Sequence, residues 1–404
     1  MKSDKNIREG YKKTAVGVIP EEWGVKKLGD VSYKSFSGTT PRRNNDEYYL
    51  NGTIPWIKSG ELNNWIIFDT EEKVTDKAIN ETSLRLIKPN SLVYALYGAT
   101  AGLVSETKIE ATINQAILAI YLKENYSKNY IKYQLFYNKD RFINKYTQGG
   151  QPNLNASIVR SYELPIPPLP EQEAIANCLT TWDKGIETLS TLIDAKREQK
   201  KGLMQQLLTG KKRLKGFVGE WEEKKLGDIA DCLNNVRVPL NSSQRDKMRG
   251  NIPYCGANGI VDYVNDHVID DDIILLAEDG GYFDEFQNRP IAYRMNGKCW
   301  VNNHAHILKA KEFFDQSFLF YSLVHKNIVP YIVGGTRAKL NQSALLQIKM
   351  IVPKTIEEQN AIAHILTIAD QEISLLEKKL EAMKEEKKGV MQVLLTGKKR
   401  LIDS

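Results

Sequence analysis

The sequence predicts an α+β chain in which two globular domains of mixed strands and helices are separated by two long helices forming an antiparallel coiled coil, a pseudo-twofold internal repeat. Three observations predict it. First, the stretch Glu171 to Leu208 returns as Glu357 to Leu395: Ala174-Ile175-Ala176 answers Ala361-Ile362-Ala363, and Lys200-Lys201-Gly202 through Leu214 answers Lys387-Lys388-Gly389 through Leu401, at a constant offset of 187 residues. Second, Ile175, Leu179, Trp182, Ile186, Leu189 and Ile193 in the first copy, and Ile362, Leu366, Ala369, Ile373, Leu376, Leu380 and Met383 in the second, recur at steps of four and three, which is a heptad seam. Third, Trp23-Gly24-Val25-Lys26-Lys27-Leu28-Gly29-Asp30 is echoed by Trp221-Glu222-Glu223-Lys224-Lys225-Leu226-Gly227-Asp228, so the repeat opens each half as well as closing it.

Taken in order, residues 1–150 form the first globular domain, 151–214 a linker and the central long helix, 215–336 the second globular domain, and 337–404 a second linker and the C-terminal long helix. A helix of about 38 residues is roughly 57 Å long. A small core cannot cover that length, so the other copy is its natural cover. Two units related by a twofold axis make the helices antiparallel. Matching the ends so that Ile175 faces Leu394 brings Lys387, which interrupts the second seam, onto Trp182, and Lys200 onto Ala369; the lysine stems would lie along the seam, with the Lys387 ammonium over the indole.

The two interiors scarcely resemble each other, as though one frame held two different inserts. The first has strand-like runs at Thr53 to Ile57 and Ser91 to Tyr97, turns at Ser37-Gly38-Thr39-Thr40-Pro41 and Asn51-Gly52, a helical stretch from Lys128 to Thr147, and a stiff Leu164-Pro165-Ile166-Pro167-Pro168-Leu169-Pro170 segment delivering the chain into the helix. The second passes through Ile252 to Gly259, Ile273 to Gly281 and a helix from Asp315 to His325.

With 42% hydrophobic and 26% charged residues the chain has ordinary cores, and no apolar run approaches the length of a spanning helix. No signal-peptide core follows Met1, so a cytoplasmic protein with no membrane partner is expected. Four cysteines without CxxC spacing indicate neither disulfides nor a zinc knuckle. The net charge of +6 says less than its placement.

Catalytic residues are not found: Gly210-Lys211 and Gly397-Lys398 lack the upstream glycine of a phosphate loop, and no methyl-donor loop with an Asn-Pro-Pro-aromatic segment occurs. His304-Ala305-His306 would share one face of a strand without a third ligand, so they read as packed or DNA-facing side chains and no metal site is assigned. Asp270-Asp271-Asp272 and Glu71-Glu72-Lys73 read as charged turns. Binding chemistry is better represented. Thr39, Thr40, Arg42 and Arg43, Lys58 and Ser59, Gln148 and Gln151, Asn302, Asn303 and His304, and Thr336, Arg337 and Lys339 gather in or beside glycine-containing loops, where amides and cations can meet phosphates and Arg, Asn or Gln can pair with base edges.

The order Ser37-Gly38-Thr39-Thr40-Pro41, Ile54-Pro55-Trp56-Ile57-Lys58-Ser59-Gly60-Glu61-Leu62, Leu96-Tyr97-Gly98-Ala99-Thr100-Ala101-Gly102, Thr112-Ile113-Asn114-Gln115-Ala116 and Pro167-Pro168-Leu169-Pro170-Glu171-Gln172 resembles the specificity subunit of type I restriction-modification systems over nearly the whole chain. The second insert resembles another branch of the same target-recognition family through Tyr254-Cys255-Gly256-Ala257-Asn258-Gly259, Leu276 to Gly281 and Cys299 to His306, whereas its exit, Ile351 to Gln359, has lost most of the prolines. The resemblance adds Tyr97 and Asn258 to the DNA-binding candidates. It implies two target-recognition domains, each reading half of a split double-stranded DNA sequence, with the helices as a ruler for the unread spacer. It also implies a non-catalytic role in phage defence beside two modification (DNA-methyltransferase) subunits, which methylate adenine N6 with S-adenosylmethionine, and restriction subunits, which translocate and cleave with ATP and magnesium. None of these cofactors would be bound by this chain. The alternatives are a specificity subunit of a related methyltransferase or nuclease system with a bipartite target, and a coiled-coil scaffold without base readout.

Overall fold

The computed structural model describes residues 7–146, 153–334 and 338–401. These form two compact units, one of residues 1–188 with 380–404 and one of residues 189–379. Each contains a recognition insert and a portion of both long helices, Leu169–Leu207 and Ile356–Leu394.

In the first unit a five-stranded sheet runs in the order Ser32–Ser37, Ile117–Leu122, Leu92–Ala95, Val104–Thr107, Ile66–Ile67, antiparallel except for the last pair. Alternation along the strands loads both faces. Leu92, Tyr94, Leu118 and Ile120 enter the core shared with the helices, and Val93, Ala95, Ile117 and Ala119 enter a second core with Ile57 and Ile113. Burial on both faces is why Ser91 to Tyr97 reads as a nearly continuous apolar run. A small sheet, Thr112–Ile113 parallel to Ile54–Ile57 and Lys73–Val74 antiparallel to it, stands beyond that second core.

The second unit repeats this plan with different residues. Its first sheet has the order Ala230–Cys232, Ala305–Ala310, Ile273–Ala277, Ala292–Met295, all antiparallel, and Ile274 and Leu276 face one core while Ile273 and Leu275 face the other. Its second sheet contains Lys298–Val301 parallel to Arg249–Gly256, with Trp300 opposite Tyr254, as Thr112 lies opposite Trp56 in the first unit.

The repeated opener and closer make the frame. Gly24–Lys27 pairs with Glu163–Ile166, and Glu222–Lys225 with Lys349–Val352. The proline-rich exit is therefore in part a strand, with Pro165 opposite Val25, and its last residues, Leu169 and Pro170, already open the long helix, so that only Pro167 and Pro168 link the two. The Lys128 to Thr147 stretch is two helices, Lys128–Tyr137 and Lys139–Tyr146, because the first is capped at Asn138, whose amide donates back to the Gln134 carbonyl. Both long helices stop at a Leu-Leu-Thr-Gly signal with the glycine left-handed, φ +69° at Gly210 and +70° at Gly397, and the amides of Lys212 and Lys399 return to the carbonyls of Gln206 and Val393.

At the mouth of each frame a buried glutamate gathers three elements. Glu171 accepts from the Trp23 indole at 2.9 Å and is forked by Arg400; Glu358 accepts from the Trp221 indole at 3.3 Å and from Arg213 at 2.7 and 2.8 Å. Both carboxylates are almost wholly buried, so their desolvation is offset only because charged and neutral donors converge on them.

Within each unit the helix segments run antiparallel. Asp183 meets Lys387 and Glu171 meets Arg400 in the first; Lys200 meets Asp370 and Arg213 meets Glu358 in the second. The partners of the two seam lysines differ from those expected. Lys387 binds Asp183 and faces the rings of Trp65 and Tyr133 rather than Trp182, and Lys200 binds Asp370 beside the Tyr321 ring rather than resting on Ala369. A cation over an indole gains about 0.5–2 kcal/mol, whereas a half-buried ammonium without a counter-charge costs several, so each lysine turns to a carboxylate. Of the seam residues, Ile175 and Leu179 join the first unit's core with Met391, Leu394 and Leu395, and Ile362 and Leu366 join the second's with Leu207. Leu189, Ile193 and Ile373 are buried, and Trp182, Ile186, Leu376, Leu380 and Met383 are half-buried.

Glu171→Ala leaves the Trp23 indole and the Arg400 guanidinium without their acceptor, and should cost about 2–4 kcal/mol, less than for a fully buried pair because Arg400 is partly exposed. Glu22→Ala, which removes the other, exposed partner of Arg400, should cost under about 1 kcal/mol. Urea unfolding of both variants checks this, and equal losses would show that the clamp does not hold the frame.

Candidate nucleic-acid interface

The loops that carry the candidate residues occupy the same place in both units, as shown by matching backbone bonds. The amide of Asn114 donates to the Ile57 carbonyl and that of Asn302 to the Cys255 carbonyl; Leu96 donates to Ala116 and Glu278 to His304; Leu154 donates to Leu96 and Leu340 to Glu278. Residues 114–116 of the first insert thus correspond to 302–304 of the second, and Tyr97 to Asp279. The turn itself is built identically, since the side-chain oxygens of Asn114 and Asn302 accept from the amides two residues on, at 3.1 and 2.8 Å. That use, with its burial, makes Asn302 a turn-former more than a free reader; Asn303 beside it is exposed.

In the first unit, Gly38 lies so close to the Ile113 and Asn114 carbonyls that a Cβ would collide with them, which locks the Ser37 to Pro41 loop to the turn. The Trp56 indole donates to the Thr39 carbonyl at 3.3 Å, the Thr39 hydroxyl meets Ser83, and the Thr40 hydroxyl donates to Gln115. Burial raises the proton affinity of the Tyr97 hydroxyl. Arg43 lies over the Tyr49 and Trp56 rings, 4.9 and 4.6 Å from their centroids, and its guanidinium is held by Glu72. Lys58 is held by the same Glu72 at 2.8 Å and by Glu71 at 3.1 Å, and Ser59 opens the turn that follows. Arg43 and Lys58, through their hydrogen bonds, keep the Glu72 carboxyl below its ordinary range. Arg42 is exposed and makes no ion pair with a described residue.

In the second unit, two adjoining open clefts of about 350 and 520 Å³ share Val261, Asn302 and His304. Asn258 donates to the Gly280 carbonyl at 2.8 Å, and His304 Nδ1 lies 2.8 Å from Asp279. Lys339 is tied to Glu278 at 3.0 Å, and Arg237 reaches the same carboxylate at 2.6 Å. Burial pushes the Glu278 carboxyl up, but its bonds to Arg237 and Lys339 outweigh this and hold it below the ordinary range. His304 and His306 do not share a strand face as expected. His304 lies in the turn before the strand, while His306 is fully buried, with Nδ1 accepting from Asn234 at 2.9 Å and Nε2 donating to the Leu340 carbonyl at 2.7 Å. Gln148, Gln151, Thr336 and Arg337 lie outside the described residues.

The described candidates therefore fall into one loop cluster per unit. Sequence reasoning left Gln115, Asn241, Gln244 and Arg245 off the candidate set; the last three line the larger cleft of the second unit. The usable signal was the matched pair Asn114-Gln115 and Asn302-Asn303, hidden by the absence of other similarity between the inserts.

The family model described as the type I restriction modification DNA specificity domain matches residues 20–195 and again 219–385, each match opening at the repeated tryptophan segment and ending within a long helix. The chain belongs to this family. It is a DNA-recognition, specificity-type subunit carrying two copies of the domain. The type I restriction enzyme MjaVIII specificity subunit of Methanocaldococcus jannaschii is 27% identical over 421 residues, covering 95% of this chain and 94% of the relative. A putative type I restriction enzyme specificity subunit of Haemophilus influenzae is 39% identical over 155 residues, 38% of each chain. Among solved structures, the S subunit of a type I restriction-modification system from M. genitalium superposes with a TM-score of 0.61 at 18% identity, over 92% of this chain and 96% of that one. Among the described residues no helix is long and apolar enough to cross a membrane.

Two predictions test the electrostatics of this specificity subunit. Glu72→Gln removes the charge that Arg43 and Lys58 share, leaving Lys58 only Glu71, so affinity for random duplex DNA at low salt should rise and the log–log salt slope should steepen by up to about 0.9 for each further phosphate neutralised. An unchanged slope would place both cations away from DNA. His306 is held neutral, its proton affinity lowered by burial. As pH falls below about 6.5 the unfolded chain takes up a proton that the fold refuses, so the second unit loses stability from that point down to the lower folded value and keeps it in full above. Leu118 holds the corresponding place in the first unit, opposite Tyr94 as His306 lies opposite Leu276. Thermal unfolding followed from about pH 7 to pH 5 should show this loss in the parent and not in His306→Gln.

Proposed function

We propose that each unit reads one half of a bipartite double-stranded DNA target, through recognition domains at residues 1–150 and 215–336, and that the long helices set the length of the unread spacer. The observation that carries this reading is that one frame, with its Trp–Glu–Arg clamp and sheet plan, is built twice around inserts that share almost no sequence. A repeated frame with different loops suits two readers of different bases. Thr39, Thr40, Arg42, Arg43, Lys58, Ser59, Tyr97, Gln148 and Gln151 serve the first half-site, and Asn258, Asn302, Asn303, His304, Thr336, Arg337 and Lys339 the second. Cations position the phosphate backbone and amides specify bases.

The chain supplies address and geometry rather than catalysis. In the cytoplasm it assembles with two modification subunits that flip and methylate adenine with S-adenosylmethionine, and with restriction subunits that use ATP and magnesium. The family assignment and the specificity subunits among the relatives support this division of labour.

Inserting one matched heptad after Thr191 and one after Lys378 keeps the seam in phase and lengthens the helices by about 10 Å. The preferred spacer should grow by up to about three base pairs at ~3.4 Å each, read with a spacer-length series of duplexes carrying unchanged half-sites. A preferred spacer that stays put would show that the helices are not the measuring element.

A further inference from the structure

One loop leaves the frame at the same point in both units and then carries different chemistry in each. In the first unit the Thr39 amide donates to the Ile113 carbonyl, and the Thr39 carbonyl accepts from the Trp56 indole; in the second the Val238 amide donates to the Val301 carbonyl, and the Val238 carbonyl accepts from the Trp300 indole at 2.7 Å. Ile113 and Val301 each precede the asparagine of the matched turn, so Thr39 corresponds to Val238. Three residues on, the first unit has the exposed cation Arg42, whereas the second has Asn241, which opens the short helical turn Ser242–Lys247. A held backbone with unlike side chains is what two readers of unlike bases require. Residues 239–247 also lie outside the runs through which the second insert resembles the wider family.

The turn is fixed before DNA arrives. The Leu240 amide donates to the Tyr254 hydroxyl at 2.9 Å, and Arg245, lying over the Tyr254 ring, donates to the Leu240 carbonyl and to Asp262, both at 2.8 Å. Asn241 and Gln244 then close a reciprocal cap: the Gln244 backbone amide donates to Asn241 Oδ1 and the Asn241 backbone amide to Gln244 Oε1, each at 2.9 Å. An atom that accepts from a backbone N–H must be oxygen, which settles which end of each side-chain amide is nitrogen. Asn241 Nδ2 and Gln244 Nε2 have no hydrogen-bond partner among the described residues, and both side chains are exposed and line the cleft of about 520 Å³ beside Asn303 and His304. Two anchored amides thus offer their nitrogens as unused donors.

Two donors call for two acceptors. In the major groove guanine presents N7 and O6, both acceptors, whereas adenine sets an amino donor beside N7, thymine offers O4 alone and cytosine a donor. Side chains held by their own cap lose little freedom on binding, which raises the discrimination obtained from each hydrogen bond. Lys247, in the last turn of the same short helix, is exposed and without an ion-pair partner among the described residues, so it is free to meet an adjoining phosphate.

We propose that Asn241 and Gln244 together determine specificity for one guanine in the half-site of the second unit, their side-chain nitrogens donating to N7 and O6. This rests on the reading that each unit recognises one half of a split target.

The test uses the full chain in complex with its modification subunits, selecting bound duplexes from a random library. Asn241→Asp and Gln244→Glu keep the oxygen that makes the cap and exchange the donor for an acceptor, and Asn241→Ser keeps a capping oxygen without adding charge. The parent should yield a bipartite sequence with a guanine in one half. Each variant should lower the preference for that guanine by roughly 5- to 100-fold, with the other half and the thermal midpoint unchanged. The two acidic variants should move the preference at that position toward cytosine, whose amino group donates to a carboxylate. Added negative charge weakens binding to every sequence alike, so the readout is the relative preference at each position. Replacing that guanine with 7-deazaguanine should weaken the parent and leave the double variant Asn241→Asp, Gln244→Glu unaffected. Retention of every guanine preference in all three single variants, or equal loss at all positions, overturns the assignment. A parent that selects no bipartite sequence instead overturns the two-reader function.

Discussion

Everything in the frame depends on a carboxylate taken out of water at the start of each long helix. Glu171 and Glu358 would be costly if left alone, and each is tolerable only where an indole N–H from the opener and a guanidinium from the closer arrive together. One interaction therefore requires three segments distant in sequence to meet. Glutamines one residue on reinforce it: the side-chain oxygens of Gln172 and Gln359 accept from the amides of Ser127 and Asp315, which begin the insert helices, and their amide groups donate to the Pro167 and Pro353 carbonyls. The inserts can diverge because the frame takes nothing from their variable loops.

The lysines that interrupt the seam have a second structural task. In each unit the phenol of an insert helix, Tyr133 or Tyr321, is bonded to a carboxylate of a long helix, Asp183 or Asp370, and the lysine of the opposite helix closes the group from the other side. Burial and the adjacent carboxylate push both phenols well up, so they stay protonated donors. A leucine in place of either lysine would fill the seam but leave the carboxylate with only a neutral partner. The insert helix is thus tied to the helix pair by polar contacts whose geometry is narrow, which suits a part that must hold its orientation.

Much of the fold was legible because repetition and periodicity are strong signals: the duplicated tryptophan opener, the Leu-Leu-Thr-Gly-Lys-Lys-Arg closer and the heptad spacing all point to one frame built twice. Helix direction followed from that symmetry. The partners of the seam lysines did not, since Asp183 and Asp370 are polar residues outside the apolar ladder. Of the candidate loops, Arg43 and Lys58 were visible as cations, but their shared counter-ion, Glu72, comes from a charged turn that nothing in the linear sequence connects to them. The equivalence of Gln115 and Asn303 was illegible for a similar reason. It is recorded in backbone bonds to Ile57 and Cys255, which have no counterpart in side-chain pattern.

The closing segment has a consequence for how the chain is made. Met391, Leu394 and Leu395 belong to the core of the first unit, and Arg400 completes a clamp whose carboxylate lies 229 residues earlier, whereas the equivalent pair in the second unit spans 145. A ribosome adding about 5–20 residues per second takes roughly 10–45 s to cover the longer interval. For that time the N-terminal half has its strands but not the last side of its core, and it must wait with apolar surface uncovered. The second unit, by contrast, has all of its segments before synthesis ends. The half translated first is completed last, so the nascent N-terminal portion is where a chaperone would find its substrate.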